Sequence, residues 1–360
     1  MGIQIEYMPL AELKRRSQSW QDQVLGAVSF GNLTDQYIDG NIPVIHLNTP
    51  VLSGSDFECE ALLADTSRPL LSGKKDLIHY RVNEDLLFGV INIDESSALV
   101  NKPLDLDQAH NISALQQATE TAYQQIFSLI EELGYPQVYR FWNYMADING
   151  GEINGSLERY REFNVGRKNV FERAGREHGQ QLPAACALGL QAGPLSIAFL
   201  AGKTPATAIE NPRQVKAYHY PQQYGPRTPS FSRATLAQIG QQFCLFISGT
   251  ASIVGHETLH DQDIVGQTNE TLINLEAVVS EANRVQGETM FSLSNACFRV
   301  YVRHAADLQR IRETLRDYFK HEVKAVFVQA DICREELLIE IEATLQSAVF
   351  QPDVQAVRTV

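Results

Sequence analysis

Between Asn211 and His256 the chain carries no Asp or Glu, yet it places Arg213, Lys216, Arg227 and Arg233 there, with Tyr218, Tyr220 and Tyr224 among them. Acids make up 43 of the 360 residues, so the gap leaves a local positive field in an acidic chain. Arginine presents a planar fork of donors that matches a carboxylate or a phosphate. The chemistry this stretch suits is the gripping of a small anion; the plainer reading is a solvated loop with a chance run. A second cluster, Tyr139-Arg-Phe-Trp-Asn-Tyr144, leads into Asp147-Ile-Asn149 and then Tyr160 and Arg167. Aromatic, amide and guanidinium groups at a strand end, followed by a helix, suit a pocket wall. A packed core with a capped helix is the alternative.

Other strings promise less. His256-Glu-Thr-Leu-His260 fits the His-Glu-x-x-His zinc pattern, which needs a helix to set both imidazoles on one face and a third ligand further on. Here the string follows a strand and precedes Asp261-Gln-Asp263 and Gly266, so a loop between strand and helix accounts for it better. Gly202-Lys203-Thr204 looks like the end of a phosphate-binding loop, but the first glycine of that motif would fall at Ile197. No Gly-x-Gly-x-x-Gly follows a predicted strand and no Gly-x-Ser-x-Gly elbow is present. Neither a nucleotide cofactor nor a metal is expected. The five cysteines, Cys59, Cys186, Cys244, Cys297 and Cys333, are odd in number and scattered beside apolar runs, which suits a reduced, cytoplasmic protein with thiols in its core.

The elements that must position these groups read as a repeat. Leu87–Ile93 is predicted as a strand, 112–133 as a helix stopped by Gly134, and Val138–Met145 as a strand. A helix over 157–174 and two strand-like runs over 184–200 follow. The second half repeats the order with strands at 243–248, 298–302, 323–328 and 337–343 and helices at 267–283 and 306–319. Gln117-Ala-Thr-Glu-Thr121 even rhymes with Gln267-Thr-Asn-Glu-Thr271. This pattern predicts an α+β fold of repeated mixed sheets with helices on one face. The first 72 residues are strand-rich and match neither copy. The domains expected are 1–72, 73–210 and 211–360. With a net charge of −13 the chain repels phosphate backbones, so nucleic acid is not expected as a partner. No stretch approaches the roughly 20 apolar residues of a membrane span, and the N-terminus lacks the apolar core of a secretory signal.

The same residues carry a resemblance. Arg140-Phe-Trp-Asn-Tyr144, the spacing from Tyr160 to Arg167, Asn211-Pro-Arg-Gln, Tyr220-Pro, Tyr224-Gly-Pro and Pro229-Ser-Phe-Ser-Arg233 look like the chorismatase family. Gly249-Thr, Gln267-Thr followed by Leu272 and Asn274-Leu, and Glu340-Ile-Glu342 resemble the RidA/YjgF-like fold that chorismatases share. The resemblance spans roughly residues 85 to 345. It implies release of pyruvate from chorismate, a dicarboxylate with an enolpyruvyl ether. It also implies a monomer whose domains mimic a RidA trimer in a pseudo-threefold arrangement, with the site between the central and C-terminal domains. Tyr160, Arg167, Tyr220 and Arg233 would hold the substrate, and Glu340 would protonate the enol ether methylene. Cys333 looks like the cysteine of the hydroxybenzoate-forming members, which implies 3-hydroxybenzoate, with 4-hydroxybenzoate beside it. Hydrolysis to a dihydroxycyclohexadiene acid is the other outcome in the family.

Elementary chemistry agrees with these roles. Glu340 lies in Leu337-Leu-Ile-Glu-Ile-Glu342, where alternation puts Glu340 and Glu342 on one face and Ile339 and Ile341 on the other. A carboxyl in so apolar a strand is expected to keep its proton at neutral pH, as a general acid must; a solvent-facing edge strand is the alternative. An imine deaminase of the RidA type would have an arginine fifteen residues ahead of this glutamate, where the chain has Ala325. A zinc hydrolase using His256 and His260, and a small-anion binding protein, complete the alternatives.

Overall fold

The computed structural model of the chain describes residues 2–31, 41–52, 58–64, 69–98, 112–151, 157–177 and 179–347. Their apolar runs form three mixed sheets. The first contains β1 (Ile3–Pro9), β2 (Val24–Phe30), β3 (Val44–Leu47) and β4 (Glu58–Ala64) in the order β1-β4-β2-β3. Two short helices, α1 (Leu10–Arg15) and α2 (Gln18–Gln21), join β1 to β2. The second sheet opens with β5 (Leu71–Lys75), β6 (Ile78–Val82) and β7 (Leu86–Ile93). After α3 (Glu95–Ala98) and α4 (Ala114–Glu132) come β8 (Gln137–Ala146), α5 (Arg159–Arg173), β9 (Ala184–Leu190) and β10 (Leu195–Gly202).

The third sheet takes β11 (Thr207–Ile209), β12 (Ala234–Ile239) and β13 (Gln242–Thr250). A small hairpin of β14 (Ile253–Val254) and β15 (Glu257–Thr258) precedes α6 (Ile264–Gln286), β16 (Cys297–Val302), α7 (Leu308–Phe319) and β17 (Lys324–Gln329). The chain then makes β18 (Asp331–Ile332) and closes with β19 (Ile339–Gln346). The architecture is α+β, as the periodicity predicts. Ser113 caps α4 by accepting the Gln116 N–H at 3.1 Å, and Gly134 ends it at φ +76°.

Strand order gives the repeat physical form. β9-β8-β10-β7 in the second sheet corresponds to β17-β16-β19-β13 in the third. Each begins with a parallel pair and continues antiparallel. The first sheet obeys the same rule: β3-β2-β4-β1 is one parallel pair followed by two antiparallel ones. Residues 1–72 therefore contain a third copy of the topology that the sequence reading leaves unmatched. It is hidden because α1 and α2 have only six and four residues, too few to show helical periodicity.

Helices α4 and α5 cover the outer face of the second sheet, around Ile126, Phe141, Phe163 and Phe199. Helices α6 and α7 do the same for the third. The inner faces meet in one apolar core that includes Phe30, Phe88, Trp142, Phe246 and Tyr301, from all three sheets. Charge is buried there in compensated form. Glu342 on β19 pairs with Arg140 on β8 and, at 2.8 Å, with Arg299 on β16. Arg299 in turn reaches Glu60 on β4 at 2.8 Å.

One crossing matters for the site. β18 leaves the third sheet and pairs with β9 of the second, Asp331 opposite Gly189. The loop that follows is laid across the seam between the two sheets. Arg303 holds it there by donating to the carbonyls of Leu337, Ile332 and Arg334 at 2.7, 3.1 and 2.9 Å.

Candidate active site

Glu340 stands on β19, which runs between β13 and β16 in the interior of its sheet, not at an edge. Its neighbours Ile339 and Ile341 join the helix-covered core, so Glu340 and Glu342 share the inner face as alternation requires. The two carboxylates meet different surroundings. Glu342 is neutralised by Arg140 and Arg299 and accepts the Tyr301 hydroxyl at 2.8 Å. Glu340 is 4% exposed and has no such ion pair; burial pushes its carboxyl up to about 8, against the opposing pull of Arg140 and Arg233. It is therefore a protonated acid at neutral pH.

Room for that carboxyl comes from β13. The β13–β19 register breaks between Ile247 and Thr250, and Gly249 lies in the break. A Cβ on Gly249 would stand 1.8 Å from Glu340 Oε1. Only a residue without a side chain leaves this space.

Glu340 lines a cavity of about 590 Å³ together with Tyr160, Tyr220, Arg233, Cys333 and Arg334. A recess of about 30 Å³ continues from it, bounded by Glu340, Tyr160 and Cys333 and by Asn164, Arg167 and Cys186. The six residues singled out from the sequence thus border two adjoining spaces that share Tyr160, Cys333 and Glu340. Tyr160 and Arg167 project from α5, where a spacing of seven residues is two helical turns on one face. Burial raises the Tyr160 phenol well above its ordinary value, so it stays protonated.

Arg167 is 2% exposed, with its guanidinium carbon 5.3–5.6 Å from the ring centres of Phe171, Tyr123 and Phe141. Its Nε and Nη2 are buried without a hydrogen-bond partner. A buried guanidinium in that condition has donors free to meet an anion. Arg233, just before β12, donates through Nη2 to the Tyr220 hydroxyl at 2.8 Å and to the Val215 carbonyl at 2.9 Å. The Cys333 thiol is pushed up to about 12, by burial first and by Glu340 next, so it remains a thiol.

The acid-free stretch contributes less charge to the cavity than its composition predicts. Arg213 is spent on Glu270 at 2.6 Å and Arg227 on Glu172 at 2.8 Å. Lys216 lies over the Tyr218 ring. Arg233 alone of the four lines the cavity. Distant acids have supplied the missing partners, which a window of sequence cannot register. The reading also passes over Arg334, a cavity-lining arginine that stands beside Cys333. His256 falls in the turn of the β14–β15 hairpin, and His260, at φ +59°, faces Glu270 at 3.5 Å. The string is not helical, so its two imidazoles lack the shared face the zinc motif needs.

Comparison with known proteins accords with this geometry. A family profile described as "Chorismatase FkbO/Hyg5-like, N-terminal" matches residues 63–201. A 3-hydroxybenzoate synthase from Streptomyces hygroscopicus is 41% identical over 239 residues, covering 64% of this chain and 69% of that protein. A chorismatase from the same organism is 32% identical over 328 residues, 89% of each chain. A chorismatase crystal structure superposes with a TM-score of 0.79 at 30% identity, over 96% of this chain and 98% of the other. The chain belongs to the chorismatase family.

Proposed function

We propose that the enzyme releases pyruvate from chorismate and leaves 3-hydroxybenzoate, with 4-hydroxybenzoate as a lesser product. The observation that carries this reading is Glu340, a buried acid with its proton retained, facing a cavity that holds unpaired arginine donors. The 41% identical relative is named a 3-hydroxybenzoate synthase, and that name supports the product.

Glu340 donates its proton to the enolpyruvyl methylene carbon, which becomes the methyl of pyruvate. The oxocarbenium so formed leaves as pyruvate when its bond to ring C3 breaks. The neighbouring C4 hydroxyl oxygen bonds to C3 and returns its proton to Glu340. Opening of the resulting epoxide at its C4–O bond gives 3-hydroxybenzoate, whereas direct loss of the C4 proton gives 4-hydroxybenzoate. No water is consumed; in the hydrolytic variant one water is. Arg167 and Arg233 hold the carboxylates, and Tyr160 and Tyr220 add phenolic hydrogen bonds. Cys333, a neutral thiol against Glu340, borders the ring and directs the collapse toward hydroxybenzoate. We place the enzyme in the cytoplasm, where its five free thiols persist. It acts as a monomer whose three sheets stand in pseudo-threefold array, which light scattering would read as a single-chain mass.

The test mixes protein with chorismate and couples pyruvate to lactate dehydrogenase. NADH consumption is expected, and its absence overturns the proposal. Chromatography then separates 3-hydroxybenzoate from its 4-isomer and from the diene acid. Arg167→Ala and Arg233→Ala are expected to raise KM by at least tenfold, the loss of a charged hydrogen bond.

A further inference from the structure

Resting on that reading, we propose that Arg334 is a substrate-positioning arginine that joins Arg233 in holding the ring carboxylate, while Arg167 takes the carboxylate of the enolpyruvyl arm. The main cavity is lined by Arg233, Arg334 and Arg161, the last already paired with Glu158 at 3.1 Å, and the recess by Arg167. Glu340 borders both, and the recess is the narrow end. The methylene must reach Glu340, and the side-chain carboxylate lies one carbon from it. The enolpyruvyl arm is assigned to the recess, where Arg167 lies with Glu340. The ring and its own carboxylate stay in the wider chamber.

Arg334 is prepared for an anion there. Its Nη1 donates to the His256 carbonyl at 2.9 Å and to Thr258 Oγ1 at 3.2 Å, and neither acceptor carries charge. Its Nη2 is buried and has no hydrogen-bond partner. The guanidinium carbon lies 4.1 Å from the Tyr224 ring centre and 5.4 Å from that of Tyr220. Arg233 lies over the same Tyr220 ring at 5.6 Å and hydrogen-bonds its hydroxyl. Two guanidinium groups thus converge on one phenol ring, and the hydrogen bonds both make are to neutral oxygens. Aromatic faces and the β14–β15 hairpin fix their separation. Glu210 lies near Arg233, and Glu335 and Glu336 lie in the cavity wall, but a bound carboxylate would supply the direct charged hydrogen-bond partner that the two guanidinium groups do not have among these.

The test uses three competitive ligands: 3-(carboxymethoxy)benzoate with both carboxylates, 3-methoxybenzoate with the ring carboxylate only, and phenoxyacetate with the side-chain carboxylate only. In Arg334→Gln the inhibition constants of the first two are expected to rise by about tenfold or more, while that of phenoxyacetate stays within about twofold. KM for chorismate rises in parallel and kcat changes little. Arg334→Lys, which keeps the charge, restores part of the loss. Equal weakening of all three ligands would mean that Arg334 only braces the cavity wall. Selective weakening of phenoxyacetate would place Arg334 on the other carboxylate. Either result overturns the proposal, as does unchanged binding of all three. Wild-type turnover of chorismate in the same assay tests the functional reading separately.

Discussion

At the scale of single residues, the contrast between Glu340 and Glu342 decides what each can do. They lie two positions apart on one strand and share a face, yet one has two arginines and the other has none in contact. Environment, not residue type, makes one an acid and the other a fixed anion. Replacing Glu340 by Gln preserves shape and removes the proton. The expected loss in kcat is on the order of 10²–10⁴, the range for deleting a general acid. In the native enzyme kcat/KM should fall as pH rises through about 8, because the ionised form cannot donate. The folded carboxyl keeps its proton up to about 8 whereas the unfolded one ionises near 4.5, so stability is lost progressively as pH rises between these values and the full penalty is present above about 8. Glu340→Gln should consequently raise Tm at pH 8.5 and have little effect at pH 5. Calorimetry at the two pH values checks this. Equal Tm shifts at both would mean that Glu340 is an ordinary ionised carboxylate.

At the scale of elements, the site depends on interruptions in otherwise regular strands. The break in β13 that contains Gly249 clears space for the acid, and the short β18 carries Cys333 and Arg334 to the seam. Neither is visible from periodicity. Helices α4 to α7 and the strands around them could be read from apolar spacing, because each has one buried face. Glu340 was legible for the same reason, as an acid alternating with isoleucines. Arg334 was not: nothing in Cys333-Arg-Glu-Glu336 distinguishes a cavity arginine from a polar loop, and only the crossing of β18 places it in the wall. The tie of Arg213 to Glu270 and of Arg227 to Glu172 likewise joins residues far apart in sequence. A substitution tests the role of the β13 break. Gly249→Ala puts a methyl where Glu340 Oε1 now sits, so the carboxyl must swing away. kcat should drop by at least tenfold, with KM less affected because the arginines do not move. Retention of wild-type kcat would show that the acid tolerates a different position.

At the scale of the whole molecule, three sheets of one topology meet on their inner faces, and the buried charges there come from all three. Glu60 belongs to the first sheet, Arg140 to the second, and Arg299 and Glu342 to the third. Each carboxylate and each guanidinium in the set is ion-paired across a sheet boundary or along β16–β19. The arrangement links the packing of the sheets to the state of the acid, because Arg140 contacts Glu342 and also opposes the upward shift at Glu340. Glu342→Gln keeps the volume and removes the charge, leaving Arg140 without a carboxylate partner and Arg299 with Glu60 alone. Breaking one member of a buried pair costs about 3–5 kcal/mol, since the remaining charge is neither solvated nor compensated. The denaturation midpoint should fall accordingly. With its compensating anion gone, Arg140 should also draw the Glu340 carboxyl downward, so the alkaline limb of kcat/KM moves to lower pH. Replacing both partners together, as Arg140→Met with Glu342→Leu, should recover part of the stability by leaving fewer orphaned charges. If Glu342→Gln unfolds within about 1 kcal/mol of wild type, or leaves the pH limb in place, the buried charges neither join the sheets nor bear on the acid.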